Sequence, residues 1–311
     1  MLWAPKLNSR IAFSGSLCHV LDIEYSITQL AKTKNSEGSK TTKAQRLYAL
    51  CAMARTLVKE LPHKDFADAT RLKPKHIQAL LAHWQTRGLS PATIKNNLSQ
   101  LRTWTRWIGK EGLMPASNDT LGAERRTYVP ETTRAVQFTD AHRERVPDAR
   151  LSIAFELQQA FGLRREEALK LIPTMADKGP YLELLGSWCK NGKARRVLIR
   201  TESQRTLLEQ AKRLTGAGRP IAGHLGNYKS AMKAYERASK AAGFDGGHGL
   251  RHHYAQERYQ ELTGWAAPVA GGPESKALTP DMRQKDKEAR LIISNELGHA
   301  REQITVTYLG R

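Results

Sequence analysis

Cysteine is scarce. The 311 residues hold three, Cys18, Cys51 and Cys189, far apart and without paired spacing. That disfavours a disulfide scaffold and a cysteine-ligated zinc site, and it suits a reducing compartment such as the cytoplasm. Long apolar runs are missing as well. No window approaches about 18 unbroken apolar residues, so no membrane-spanning helix and no membrane partner are expected. Lys6 and Arg10 ahead of the apolar stretch Ile11 to Ile23 imitate a secretory leader. Ser14, Gly15, Ser16, Cys18 and His19 interrupt that stretch, and no small-residue cleavage site follows. No internal repeat recurs at a fixed period.

Acidic residues are in deficit: 30 Asp plus Glu stand against 50 Lys plus Arg, which leaves +20 at pH 7. The isoelectric point is near 10.0. Such an excess favours a polyanionic partner, nucleic acid first. A merely solvated basic surface is the alternative, and charge alone does not separate DNA from RNA or a binder from an enzyme. The hydrophobic share of 40% is enough to build a core. At roughly 150 residues per domain the length suggests two domains.

The chain divides as follows. Residues 1–45 read as an arm, with the polar stretch 31–46 (AKTKNSEGSKTTKAQR) flexible. A helical domain covers 46–118. Its first helix carries Leu47, Leu50, Met53, Ala54, Leu57 and Val58 at helical spacing. Its clearest helix follows Ser90, an N-cap, with Pro91 at the first helical position. Ile94, Leu98, Leu101, Trp104 and Ile108 share one broad face of it. Lys95, Arg102, Arg106 and Lys110 fall within about 80° of one another elsewhere on the surface. That basic stripe suits phosphate contact; a solubilising surface is the alternative. Turn formers dominate 115–135, so 119–135 reads as a linker.

A second domain spans 136–311. Leu151–Phe161 and Arg165–Leu171 read as helices broken at Gly162. Tyr181–Cys189 and Ala194–Arg200 read as strands, with Asn191-Gly192 as a type I′ hairpin turn. Helices follow at Ser203–Leu214, Asn227–Ala242, Arg251–Leu262 and Lys287–Leu297, with a Gly/Pro-punctuated loop at 264–286. The fold class is therefore mainly α with a small antiparallel β-sheet.

Five segments of this domain offer groups suited to phosphate work. GLRREEALKL puts Arg164 after a glycine break at a helix start, where a guanidinium and helix N–H groups can face one anion. CKNGKARRVLI puts Lys190 beside the hairpin turn, HGLRHHYA holds His248 and Arg251 three apart, ELGHA holds His299, and ITVTYLGR offers Tyr308. Arg165, Lys193, His252 and His253 are neighbouring candidates for the same duties. Trp84, Trp104, Trp107 and Met53 read as core.

Taken together and in this order, the segments resemble the catalytic domain of the tyrosine recombinases, the phage-integrase family. GLRREEALKL is similar to that family's first box, HGLRHHYA to its His-x-x-Arg-His box, and LGHAREQITVTY to its closing segment, with the tyrosine nine residues past the histidine. The resemblance covers Leu151 to Tyr308 and extends more loosely to Leu72–Pro115, which is similar to the family's helical, SAM-like core-binding domain. It implies a site-specific recombinase that cleaves and rejoins duplex DNA through a 3′-phosphotyrosyl intermediate.

The roles it implies can be set against physical requirements. Arg164 and Arg251 would clamp the charge that builds on the phosphate oxygens. Tyr308 would be the nucleophile; a phenol holds its proton at neutral pH, so it must lose it during attack. His248 would accept that proton, Lys190 would protonate the leaving 5′-oxygen, and His299 would donate a hydrogen bond to the phosphate. Glu167, one helical turn from Arg164, would hold the site together. No metal and no nucleotide cofactor is implied. The partners implied are double-stranded DNA, a homotetramer on two DNA sites, and an accessory DNA-bending or directionality protein. The use implied is integration or excision of a phage or other mobile element in a bacterial cell, near the nucleoid. A type IB topoisomerase-like relaxase and a catalytically silent DNA-binding regulator are the rival readings.

Two features depart from the family pattern. Arg251 and His299 lie 48 positions apart, an interval lengthened by 264–286. Only Leu309, Gly310 and Arg311 follow Tyr308, where many relatives carry a helix that docks on the next protomer. The loop 264–286 or the segment before residue 45 is expected to make the subunit contact instead.

Overall fold

The computed structural model describes residues 15–125, 127–299 and 301–311. It divides into two compact units at Arg126/Thr127. Among the described residues no helix is long and apolar enough to cross a membrane.

The first unit is all-helical: α1 Gly15–Lys34, α2 Lys40–Lys59, α3 Pro74–Thr86 and α4 Pro91–Trp107. Leu50, Met53, Ala54, Leu57 and Val58 of α2 are buried at i, i+3, i+4, i+7, i+8, one continuous helical stripe. They pack with Ile23 and Ile27 of α1, Leu80 of α3, and Leu98, Leu101 and Trp104 of α4. Ser90 caps α4, its Oγ accepting from the Thr93 N–H at 3.2 Å. The Trp104 indole donates to the Ala69 carbonyl at 3.0 Å, so even this fully buried ring has its N–H satisfied.

Two expectations need correction here. The arm 1–45 is not flexible where it is described: α1 and the start of α2 form a helical hairpin, and the part before Gly15 lies outside the described residues. The stretch 31–46 is polar because it is the solvent-facing tip of that hairpin. Asn35 closes the tip by donating to the Lys43 carbonyl at 3.0 Å. The expected linker 119–135 is not bare chain either. Asp119–Leu121 form a 3₁₀ turn and Ala123 is buried in the first core. At the other end, Thr133 donates to Gln256 at 3.0 Å and the Val136 N–H to the Gly249 carbonyl at 3.0 Å.

The second unit contains α5 Asp140–Arg143, α6 Ala149–Phe161, α7 Arg165–Lys170, α8 Pro173–Ala176, β1 Tyr181–Leu184, β2 Arg195–Leu198, α9 Glu202–Thr215, α10 Tyr228–Ala242, α11 His248–Thr263, α12 Pro280–Glu296 and α13 Val306–Leu309. Its core gathers Phe155, Leu157 and Phe161 of α6, Leu250 and Tyr259 of α11, and Ile293 of α12. The sheet is antiparallel, with Tyr181 opposite Leu198 and Leu184 opposite Arg195.

The two-residue hairpin at Asn191-Gly192 does not form. Residues 185–194 connect the strands through two 3₁₀ turns, Gly186–Trp188 and Lys190–Gly192. Trp188 and Cys189 are buried in the core, and that burial draws the chain out of the ladder. The loop after α11 is also shorter than 264–286. Thr279 and Pro280 start α12 seven residues before the expected Lys287, because its first turns are polar and solvent-facing and carry no apolar period.

Candidate active site

Arg164 is the N-cap residue of α7. Its backbone N–H donates to Glu167 Oε2 at 2.7 Å and its guanidinium to Glu167 Oε1 at 2.9 Å. The same carboxylate receives Arg195 of β2 through two bonds, Nη1 to Oε1 and Nη2 to Oε2, each 2.7 Å. Glu167 is fully buried. Burial works to raise its carboxyl; the Arg195 guanidinium, the Arg164 N–H and the Arg164 charge overcome that and bring it down to about 2.

Arg251 enters from the first turns of α11 and is wholly buried. Nη1 donates to the Gly162 carbonyl and Nη2 to the Leu297 carbonyl. Gly162 ends α6 at φ +61°, and a Cβ there would lie 2.5 Å from the Tyr254 ring, so only glycine turns that carbonyl toward Arg251 without a clash. Arg251 Nε donates to the Tyr308 hydroxyl at 3.2 Å. Burial lowers this guanidinium to about 10, which leaves it charged at neutral pH.

His299 follows Gly298, where the chain leaves α12 at φ +66°. Its Nε2 lies 3.2 Å from Arg251 Nη2 and 3.3 Å from the Tyr308 hydroxyl. A guanidinium only donates, so Nε2 is the acceptor; the partners assign the tautomer. The phenol oxygen accepts from Arg251 Nε, and its proton shares the single Nε2 lone pair of His299 with Arg251 Nη2. Burial, then the charges of Arg251, Arg164 and Arg195, pull His299 down to about 4. Burial, then the charges of Arg251, Arg164 and Arg134, lower His248 as well. Both rings are therefore neutral at pH 7.

These groups share one cavity of about 760 Å³, lined by Arg164, Lys190, Arg195, His248, His299 and Tyr308 among others. Arg251 sits behind it, joined through the Tyr308 hydroxyl. The neighbouring candidates separate as follows. Arg165 bonds Glu236 at 2.9 Å, away from the cavity. Lys193 lines the cavity together with Lys190. The His252 ring lies 4.7 Å from the Tyr308 ring, nearer than His248 at 5.9 Å, but does not line the cavity; His253 lines a different one.

The first unit's basic stripe divides in two. Lys95, Arg106 and Lys110 are exposed, the last bonding the Thr70 carbonyl at 2.7 Å, and the half-buried Arg102 bonds the Pro115 carbonyl at 3.1 Å. The residue that the sequence reading missed is Arg195. Its one sequence signal is a strand-borne arginine five places after Lys190, and Arg196 beside it offers the same signal while facing solvent.

Residues 22–114 match the family model "Phage integrase, N-terminal" and residues 124–257 match "Integrase". The chain belongs to the phage-integrase family of tyrosine recombinases. Its fold is similar to that of a lambda integrase dimer bound to a COC′ core site, with a TM-score of 0.59 at 19% identity over 96% of this chain and 82% of that one. It is similar to a lambda integrase tetramer bound to a Holliday junction, with a TM-score of 0.57 at 18% identity over 94% and 80%. The Tn1549 transposon integrase in complex with circular intermediate DNA gives 0.51 at 13% identity over 92% and 95%. No curated protein matches the chain significantly.

Proposed function

We propose that this protein cleaves and rejoins duplex DNA at defined sites through a 3′-phosphotyrosyl intermediate formed on Tyr308. The carrying observation is the placement of the Tyr308 hydroxyl, 3.2 Å from Arg251 Nε and 3.3 Å from His299 Nε2, at the wall of a cavity that Arg164 and Lys190 also line.

The scissile phosphate entering this cavity meets Arg164. The phenol oxygen attacks phosphorus as its proton passes to His299, the imidazole within reach, rather than to His248. The bond from phosphorus to the 5′-oxygen breaks, and Lys190 gives that oxygen a proton. Arg164 and Arg251 carry the charge that develops on the non-bridging oxygens. Rejoining is the reverse, with a 5′-hydroxyl attacking the phosphotyrosine, so the bond energy is conserved and no nucleotide is consumed. The stripe of Lys95, Arg102, Arg106 and Lys110 supplies phosphate contacts.

The likeness to a tetramer on a four-way junction and to a transposon integrase supports two further readings. This chain assembles as a tetramer on two DNA sites, and it serves integration or excision of a mobile element. A suicide substrate nicked near the cleavage point tests the chemistry. The parent protein traps a covalent DNA adduct, in EDTA as in magnesium, and Tyr308→Phe traps none. Adduct formation by both would overturn the nucleophile, and relaxation of plasmids without a cognate site would favour a relaxase.

A further inference from the structure

Arg195 is placed where three parts of the site meet. It starts β2, directly after the turn that carries Lys190. Nη1 and Nη2 grip both oxygens of Glu167, which caps α7 and holds Arg164. Nε donates to the Glu296 carbonyl at 2.7 Å, at the end of α12 and three residues before His299. The fit is tight: a Cβ on Gly298 would come within 3.0 to 3.3 Å of the Arg195 side chain. All three nitrogens are engaged, two of them by the Glu167 carboxylate, so the charge of Arg195 is spent on Glu167 rather than offered to the phosphate.

The charge balance gives this geometry its consequence. Two guanidiniums share the one buried carboxylate, which leaves a net positive charge on the cluster. Without Arg195, Glu167 would be paired with Arg164 alone. The carboxylate would then cancel the charge Arg164 presents to the phosphate, inside a poorly solvated site where that cancellation counts most.

We propose that Arg195 is a positioning residue for DNA cleavage: it neutralises Glu167 so that Arg164 keeps its charge for the phosphate, and it ties the Lys190 turn to the end of α12. This rests on the function proposed above. The assay therefore starts with the parent protein, whose failure to form an adduct would defeat that function rather than this inference.

Single-turnover adduct formation is measured at saturating nicked substrate for the parent, Arg195→Gln, Arg195→Lys and the double variant Arg195→Gln/Glu167→Gln, with a melting curve for each. Arg195→Gln is expected to lose about 10²-fold in rate, the scale of a lost transition-state donor. Arg195→Lys, which keeps the charge but not the fork, should lose about tenfold. The double variant should recover at least tenfold over Arg195→Gln, because the uncompensated carboxylate is gone. A merely structural role for Arg195 predicts no such recovery. Parental rates in Arg195→Gln, or a double variant no faster than that single one, would overturn the proposal. If Arg195→Gln does not melt cooperatively, the uncharged Arg195→Met and Arg195→Met/Glu167→Gln take its place, and equal rates in that pair would overturn the proposal.

Discussion

The Tyr308 hydroxyl has two partners, and they make different demands. Arg251 requires an acceptor and His299 offers a lone pair, so one hydroxyl satisfies both. His299→Asn should therefore slow cleavage more than His248→Asn does, and it should shift the acid limb of the pH–rate profile. Losses confined to His248→Asn would return the proton to that ring. Arg251→Ala should be harmful twice over. It removes a clamp and leaves the Gly162 and Leu297 carbonyls unpaired in the interior, at about 1–3 kcal/mol for each unsatisfied group. A lower melting temperature together with abolished adduct checks this. The convergence of Arg164, Arg251 and Tyr308 was expected from the resemblance of three boxes to the family's, each carried by local spacing: a glycine break, three residues on a helix, nine residues to a turn. Arg195 was not, because its meaning comes from Glu167, 28 positions earlier, and a strand arginine carries no mark of its partner. Which imidazole lies within reach of the phenol was not legible either, since only the fold brings His299 Nε2 to 3.3 Å of it.

The short α13 that carries Tyr308 is held from two sides. Arg290 of α12 donates to the Gly310 carbonyl at 3.1 Å, and a Cβ on Gly310 would lie 2.8 Å from the Val269 backbone N, in the 3₁₀ turn Pro268–Ala270. The segment after α11 thus packs on the turn that carries Tyr308. Gly310→Val should disturb that packing, with its φ of +74° adding strain. Adduct formation should fall about tenfold or more while DNA affinity stays within about twofold; an unchanged rate would release the insertion from this duty. Helices with an apolar period, such as α4 and α9, were readable nearly to their ends. Those with polar first turns, such as α12, were readable only from the middle, and the Lys190 segment was misread because buried Trp188 and Cys189 outweigh a good turn sequence.

Across the whole chain, protonation and charge set the conditions for stability and binding. His76, His252 and His299 each lie at about 4 when folded, with burial the leading cause. Unfolding lets them return toward 6.5, so the unfolded chain binds more protons between those values. Stability is then fullest above about pH 6.5 and falls as pH drops toward 4. Glu167, at about 2, adds a loss in the same direction at lower pH. Melting temperatures measured from pH 8 to pH 4 should decline most steeply below 6.5; a flat profile would contradict the buried neutral imidazoles. The excess of +20 predicts strong salt dependence of DNA binding, about 10³-fold or more between 50 and 200 mM salt if 6 or more phosphates are contacted.

The most direct measurement is the identity of the residue joined to DNA. The trapped adduct, digested with trypsin and nuclease, should yield one modified peptide, residues 302–311, with a 3′-phosphate-linked nucleotide on Tyr308. A nucleotide on any other residue, or cleaved DNA with no linked peptide, would contradict the account.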